Sequence, residues 1–289
     1  MDQTINIYAT SQPTQPETSF TPNHKTSCTV KTHQQPDFEA QHMNVAPTLD
    51  YLLIERALLG GQPIDLLNAA EKDFCQKYKP VFDVGRLAFR MAQGYYAHSA
   101  AIEIAHGSHA RALASETPLG QISSHVIRKD GTQHTFDLPH YLGQAHTNPE
   151  IVDELSRVWL VGSLLTVGDA VSNLTPQKRQ TLKNVPIFEL LYHLRNGVAH
   201  GNVFNFTKDG VNRLNTNPAH NKTAGVKSQT GAEFEIVAGS HGKPALHAKP
   251  VLFDFMGPGD VLDLLHSVEI YLTRIRERYA AGELDGLLC

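Results

Sequence analysis

From residue 48 onward, apolar residues recur at spacings of three and four over long stretches. That period calls for helices packed on helices. The clearest case is the run Val261, Leu264, Leu265, Val268, Leu272 and Ile275, which an α-helix gathers into one stripe. A helix is therefore expected to open near Asp260 and stop at Gly282. The same reasoning predicts a short helix carrying Leu49, Leu52, Leu53 and Leu59, closed by Gly60-Gly61. A second helix is expected from Pro63 to about Tyr78. After an interruption at Pro80, a third should run from Val81 to about Ala114, with a break near Gly107. Asn148-Pro149-Glu150 has the residues of a helix start, an N-cap side chain and a first-turn proline, and that helix should extend to about Asn173. Trp159 on it is expected in the core.

Two stretches lose the helical period. Residues Gln121 to Leu138 resemble two short strands around the Asp130-Gly131 turn. Residues 202–256 are rich in Gly, Asn and Lys, with strand-like pieces at Phe234 to Val237 and Val251 to Phe255. Residues 1–47 are rich in Thr, Gln, Ser and Pro, and isolated Ile5, Phe20 and Phe38 cannot offset the entropy of ordering them, so a disordered tail is expected. The predicted architecture is mainly α, an antiparallel helical bundle over residues 48–289 with small β-hairpin insertions at about 121–140 and 202–256.

With 25 basic and 29 acidic side chains, the formal charge is -4. That excludes a polybasic nucleic-acid coat or membrane binder but allows a local basic patch. Lys208, Arg213, Lys222, Lys227, Lys243 and Lys249 make one segment locally basic. No run approaches about 20 apolar residues, so no membrane span is expected. No apolar core follows a basic start at the N-terminus, so no secretory signal is expected. Cys28, Cys75 and Cys289 are far apart and read as free thiols in a reducing cytoplasm. His98, His106 and His109 have no zinc-ligand spacing, and neither a metal nor another cofactor is expected.

Residues 185–202 carry the chemistry. Ile187, Leu190, Leu191, Leu194 and Val198 form an apolar stripe, with Glu189, His193, Asn196 and His200 on nearly the opposite side. Arg195 lies between the two stripes, flanked by Phe188, Tyr192 and Ala199. Asn196 and His200 are four apart, so the amide can orient the imidazole. Gly197 weakens a helix by about 1 kcal/mol relative to Ala, which suggests a close approach by another helix or a nucleotide.

Arg195-Asn196-x3-His200, late in a helix and followed by Gly201, resembles the Arg-x4-6-His motif of the HEPN superfamily. Members are small helical bundles, usually dimeric, and many are metal-independent endoribonucleases. The spacing also occurs at Arg128 to His134 and Arg213 to His220, but in segments read as turn or strand. The resemblance implies catalytic roles for Arg195, His200 and Asn196. His200 would move a proton, Arg195 would neutralise the phosphorane, and Asn196 would hold the imidazole or phosphate. RNA supplies its own nucleophile in the 2′-OH, so the implied product is a 2′,3′-cyclic phosphate. The implied partners are RNA, a second copy completing a composite site, and an antitoxin or regulatory protein in a toxin, phage-defence or stress setting. The alternative is a non-catalytic HEPN-like module binding a nucleotide or protein. His193, Tyr192 and Glu189 are candidate substrate-binding residues. Each also has an ordinary reading: a solvated histidine, a packing tyrosine and a surface carboxylate. Arg274, Arg276 and Arg278 similarly suit either a solvated helix end or a phosphate contact.

Overall fold

The computed structural model describes residues 49–118, 120–216, 223–227, 233–239, 242–280 and 284–288. The expected disordered tail, residues 1–47, lies outside the described residues, as does the expected stop at Gly282. Among the described residues the fold is mainly helical with two small antiparallel hairpins. The helices are α1 (Tyr51–Leu58), α2 (Ala69–Ala105), α3 (Ser108–Glu116), α4 (Leu138–Thr147), α5 (Pro149–Ser172), α6 (Pro176–Leu182), α7 (Pro186–Ala199), α8 (Lys208–Thr216), α9 (Pro258–Thr273), α10 (Ile275–Ala280) and α11 (Asp285–Leu288). Strands β1 (Ser123–Ile127) and β2 (Gln133–Asp137) form one hairpin; β3 (Thr223–Lys227) and β4 (Glu233–Val237) form the other. Among the described residues no helix is long and apolar enough to cross a membrane.

The core is built around α2, which packs along α9 and α5; α7 packs on α5 and α9. The stripe predicted near the C-terminus is its floor, with Val261, Leu264, Leu265, Val268, Leu272 and Ile275 all buried. Tyr78 is fully buried and donates its hydroxyl to the Leu272 carbonyl at 3.1 Å, which ties α2 to α9. This satisfies a polar group that would otherwise be costly to bury.

Helix α2 departs from expectation. A 3-10 turn at Ile64–Leu66 occupies the predicted start, and the helix opens only at Asn68, which makes a capping box with Glu71. It then runs 37 residues straight through Pro80. An internal proline costs about 3 kcal/mol. Here it sits on the exposed side, so the carbonyl it orphans, that of exposed Gln76, is left to water. Phe74, Cys75, Tyr78, Val81 and Phe82 bury apolar surface on both sides of the break point. At about 1.5–3 kcal/mol for each large side chain, their packing outweighs the penalty. The predicted break near Gly107 is present, with His106 closing α2 and Gly107 preceding α3.

Other boundaries also shift. Asn148 precedes α5 as expected but makes no side-chain cap bond, because it also closes α4. Trp159 is not in the core. It is about one-third exposed, donates its indole N–H to the Met91 carbonyl at 3.1 Å and stacks on His98. The strand expected at Val251 to Phe255 is instead a turn, buried at Val251 and Leu252 and exposed at Phe253 and Asp254, with isolated bridges from Val203 to Pro250 and Leu252 to Met256. Arg274 interrupts the last helix, separating α9 from α10. Its guanidinium meets Glu277 at 3.3 Å, and Arg278 lies 3.6 Å from the Tyr271 ring centroid.

Candidate functional site

Helix α7 forms as the sequence requires. Pro186 opens it, and the stripe Ile187, Leu190, Leu191, Leu194 and Val198 is buried throughout. Gly201 and Asn202 then take left-handed backbone (φ 82° and 64°) that turns the chain off the helix. The Asn202 amide donates to the Leu252 carbonyl at 3.2 Å and accepts from the Leu252 N–H at 2.8 Å. Gly197 has its reason in this turn: a Cβ there would fall 2.4 Å from Val251 Cγ2. The close approach is made by the protein's own Val203 and Val251.

The expected polar stripe divides in two. Glu189 and His193 are 0 % and 4 % exposed, so neither is a solvated surface group. The missing expectation is α8, which lies within the stretch read as a β insertion. Arg213 on α8 makes a bidentate ion pair with the Glu189 carboxylate. His193 Nε2 sits 3.3 Å from Glu189 Oε1 but without hydrogen-bond alignment. Its ring is packed against Phe206 and Tyr192. Burial pushes the Glu189 carboxyl up, but His193 and Arg213 outweigh it and hold the group below the ordinary carboxylate range. Glu189 and His193 therefore belong to an internal charged cluster, and the substrate contact suggested for them is not available at their buried positions.

Arg195, Asn196 and Tyr192 do share a cleft. Its volume is about 360 Å3. The Arg195 stem crosses α5 at Gly168, where a Cβ would stand 2.6 Å from Arg195 Cγ. Next to that glycine, Asp169 Oδ1 accepts from Arg195 Nε at 2.8 Å and lies 2.7 Å from Nη2. Asn196 Oδ1 accepts from Nη1 at 3.3 Å. Two of the five N–H donors of the guanidinium, on Nε and Nη1, are engaged in these hydrogen bonds, and others on the fork face the cleft. Both ion-pair partners are substantially exposed, so the pair adds no more than about 1 kcal/mol of stability. Its effect is to fix the fork.

Three further cations line the same cleft: Arg179, Lys183 and Arg213. Arg213 also lies 4.1 Å from the Tyr192 ring centroid, so its charge is held against an aromatic face. Arg179 is steadied by donating to the Ser172 carbonyl at 3.1 Å. Leu182, Phe188 and Leu191 supply an apolar floor. The arrangement suits an anion attached to an apolar or aromatic body.

His200 occupies the helix C-cap, exposed to solvent, with its N–H directed to the Asn196 and Gly197 carbonyls. It is not among the cleft's lining residues. Sequence reasoning thus singled out Arg195, Asn196 and Tyr192, and Arg213 as part of a locally basic segment, but missed Asp169, Arg179 and Lys183. The Arg179-x3-Lys183 spacing and the Gly168-Asp169 pair were the available signals. Of the two other copies of the Arg–His spacing, Arg128 and His134 meet at 3.2 Å across the exposed β1–β2 hairpin. His220 lies outside the described residues. Among the described residues, no three His, Cys, Asp or Glu side chains gather as a metal-ligand set. No family model, curated protein or solved structure matches the chain.

Proposed function

We propose that the protein is a HEPN-like, metal-independent endoribonuclease whose Arg195 and Asn196 hold the RNA phosphate and whose His200 moves the proton. The observation that supports this reading is the cationic cleft around Arg195 and Asn196, with an exposed imidazole four residues beyond Asn196 on the same helix. In the proposed step, the His200 imidazole takes the 2′-OH proton as O2′ attacks phosphorus. The P–O5′ bond breaks, a proton passes to O5′, and a 2′,3′-cyclic phosphate remains. The remaining N–H donors of Arg195 would stabilise the added negative charge. Since His200 does not line the cleft, a second copy supplying it across a two-fold axis is part of the proposal. A toxin, phage-defence or stress role, with RNA and an antitoxin or regulator as partners, extends the same reading.

The second reading, a binding module that does not cut, is favoured by the placement of His200 outside the cleft lining and by the Arg195–Asp169 pair. Incubating the purified chain with RNA in EDTA separates the two. Cleavage should fall by about 10²–10⁴-fold in His200→Ala and in Arg195→Ala, with cyclic-phosphate ends in the wild-type products. Cutting that survives both substitutions refutes the assignment, and RNA binding without cutting establishes the module.

A further inference from the structure

The cleft holds more positive charge than one phosphate requires. Arg179, Lys183, Arg195 and Arg213 face it, against the two carboxylates Asp169 and Glu189. Two net positive charges therefore gather at one concavity in a chain whose total is -4. Such a local surplus attracts and retains a multiply charged anion. The cations also divide by element. Arg195 comes from α7, while Arg179 and Lys183 come from the α6 end, four residues apart and so neighbours on one helical face. Arg179 and Lys183 are both exposed, whereas the Arg213–Glu189 pair reaches into the interior.

We propose that Arg179 and Lys183 form a second phosphate subsite, so that the cleft takes one nucleoside unit bearing two phosphates. Arg195 would hold one phosphate and the α6 pair the other, with the nucleoside body over Leu182, Phe188 and Leu191. A volume of about 360 Å3 lies at the small end of ligand pockets, suited to a single nucleotide and too small for a duplex. This rests on the reading that Arg195 binds phosphate and names the ligand of that same cleft. A free nucleoside bisphosphate and a phosphorylated strand end share the chemistry.

Calorimetric titration of the full chain in EDTA tests it with adenosine 5′-monophosphate, adenosine 3′,5′-bisphosphate and a 5′-phosphorylated deoxyadenylyl dinucleotide, which lacks the 2′-OH and cannot be cut. At least one two-phosphate ligand should bind about tenfold or more tighter than the monophosphate, as one charge-assisted contact implies. The ligand with the larger gain identifies the source. The double variant Arg179→Gln/Lys183→Gln, at two exposed positions, should lose that gain while keeping monophosphate affinity within about twofold. Equal affinities in the wild type, or a gain that persists in the double variant, overturn the subsite. Preferential binding of a two-phosphate ligand by a chain that never cuts RNA keeps the subsite and removes the ribonuclease. RNA cleavage with equal affinities does the reverse.

Discussion

Replacing Arg213 by Met tests the internal charge cluster. The substitution keeps an unbranched apolar stem but strips Glu189 of its bidentate cation. Glu189 is fully buried, and breaking a buried pair from one side costs about 3–5 kcal/mol. The Arg213 side chain is 22 % exposed, so water can enter as it leaves, which places the cost near the lower end. Losing the cation over Tyr192 adds about 0.5–1 kcal/mol. The expected destabilisation is thus about 3–4 kcal/mol in urea unfolding at neutral pH.

The pH dependence has a definite sign. In the wild type the Glu189 carboxyl is depressed, so its contribution is full above the ordinary carboxylate value and is lost as pH falls through the folded value. In the variant, burial is no longer opposed by Arg213, so the carboxyl moves up from its wild-type position although His193 remains beside it. It can then bind a proton in the folded state, so the gap between variant and wild type should shrink on acidification. Glu189→Leu combined with Arg213→Met should recover most of the loss, because no isolated charge remains inside. A loss below about 1 kcal/mol at neutral pH, or a gap that stays constant down to acid pH, would refute the reasoning.

Two further outcomes are expected. Gly168→Ala should weaken nucleotide binding about tenfold by pushing the Arg195 stem off α5, at about 1–3 kcal/mol of stability from overpacking; unchanged affinity would show that the crossing does not position Arg195. The Cys75 thiol is buried and pushed up, first by burial and then by the Glu71 charge. Peptide mapping after treatment with a thiol reagent should find Cys75 unlabelled until the chain is unfolded, and rapid native labelling would contradict its placement.

Legibility in the sequence followed the strength of the local signal. Helices α5 and α7 carry unbroken apolar periodicity or a clear start and lie where the pattern puts them to within a few residues, whereas α9 opens where expected but is interrupted at Arg274. Helix α8 was hidden because its sequence, Lys-Asp-Gly-Val-Asn-Arg-Leu-Asn-Thr, holds a glycine and two asparagines that disfavour helix. Buried Leu214 and the Arg213–Glu189 pair hold it in place, and neither contact is local. The apolar run at Val251 to Phe255 imitates a strand, yet the Asn202 side chain bonds both backbone groups of Leu252 and fixes a turn. At the site, the polar side of α7 was legible as a pattern, but its accessibility was not. Phe206 and α8 cover Glu189 and His193, while Asn196 remains at the cleft. Asp169 came into view only when α5 and α7 were seen in contact.

The α8 stretch cannot be excised as an ornament grafted onto a self-sufficient bundle. It carries the counterion of a carboxylate buried in the first turn of α7, so trimming it would take that cation away from an interior charge. A shortened version of this protein would have to surrender Glu189 at the same stroke.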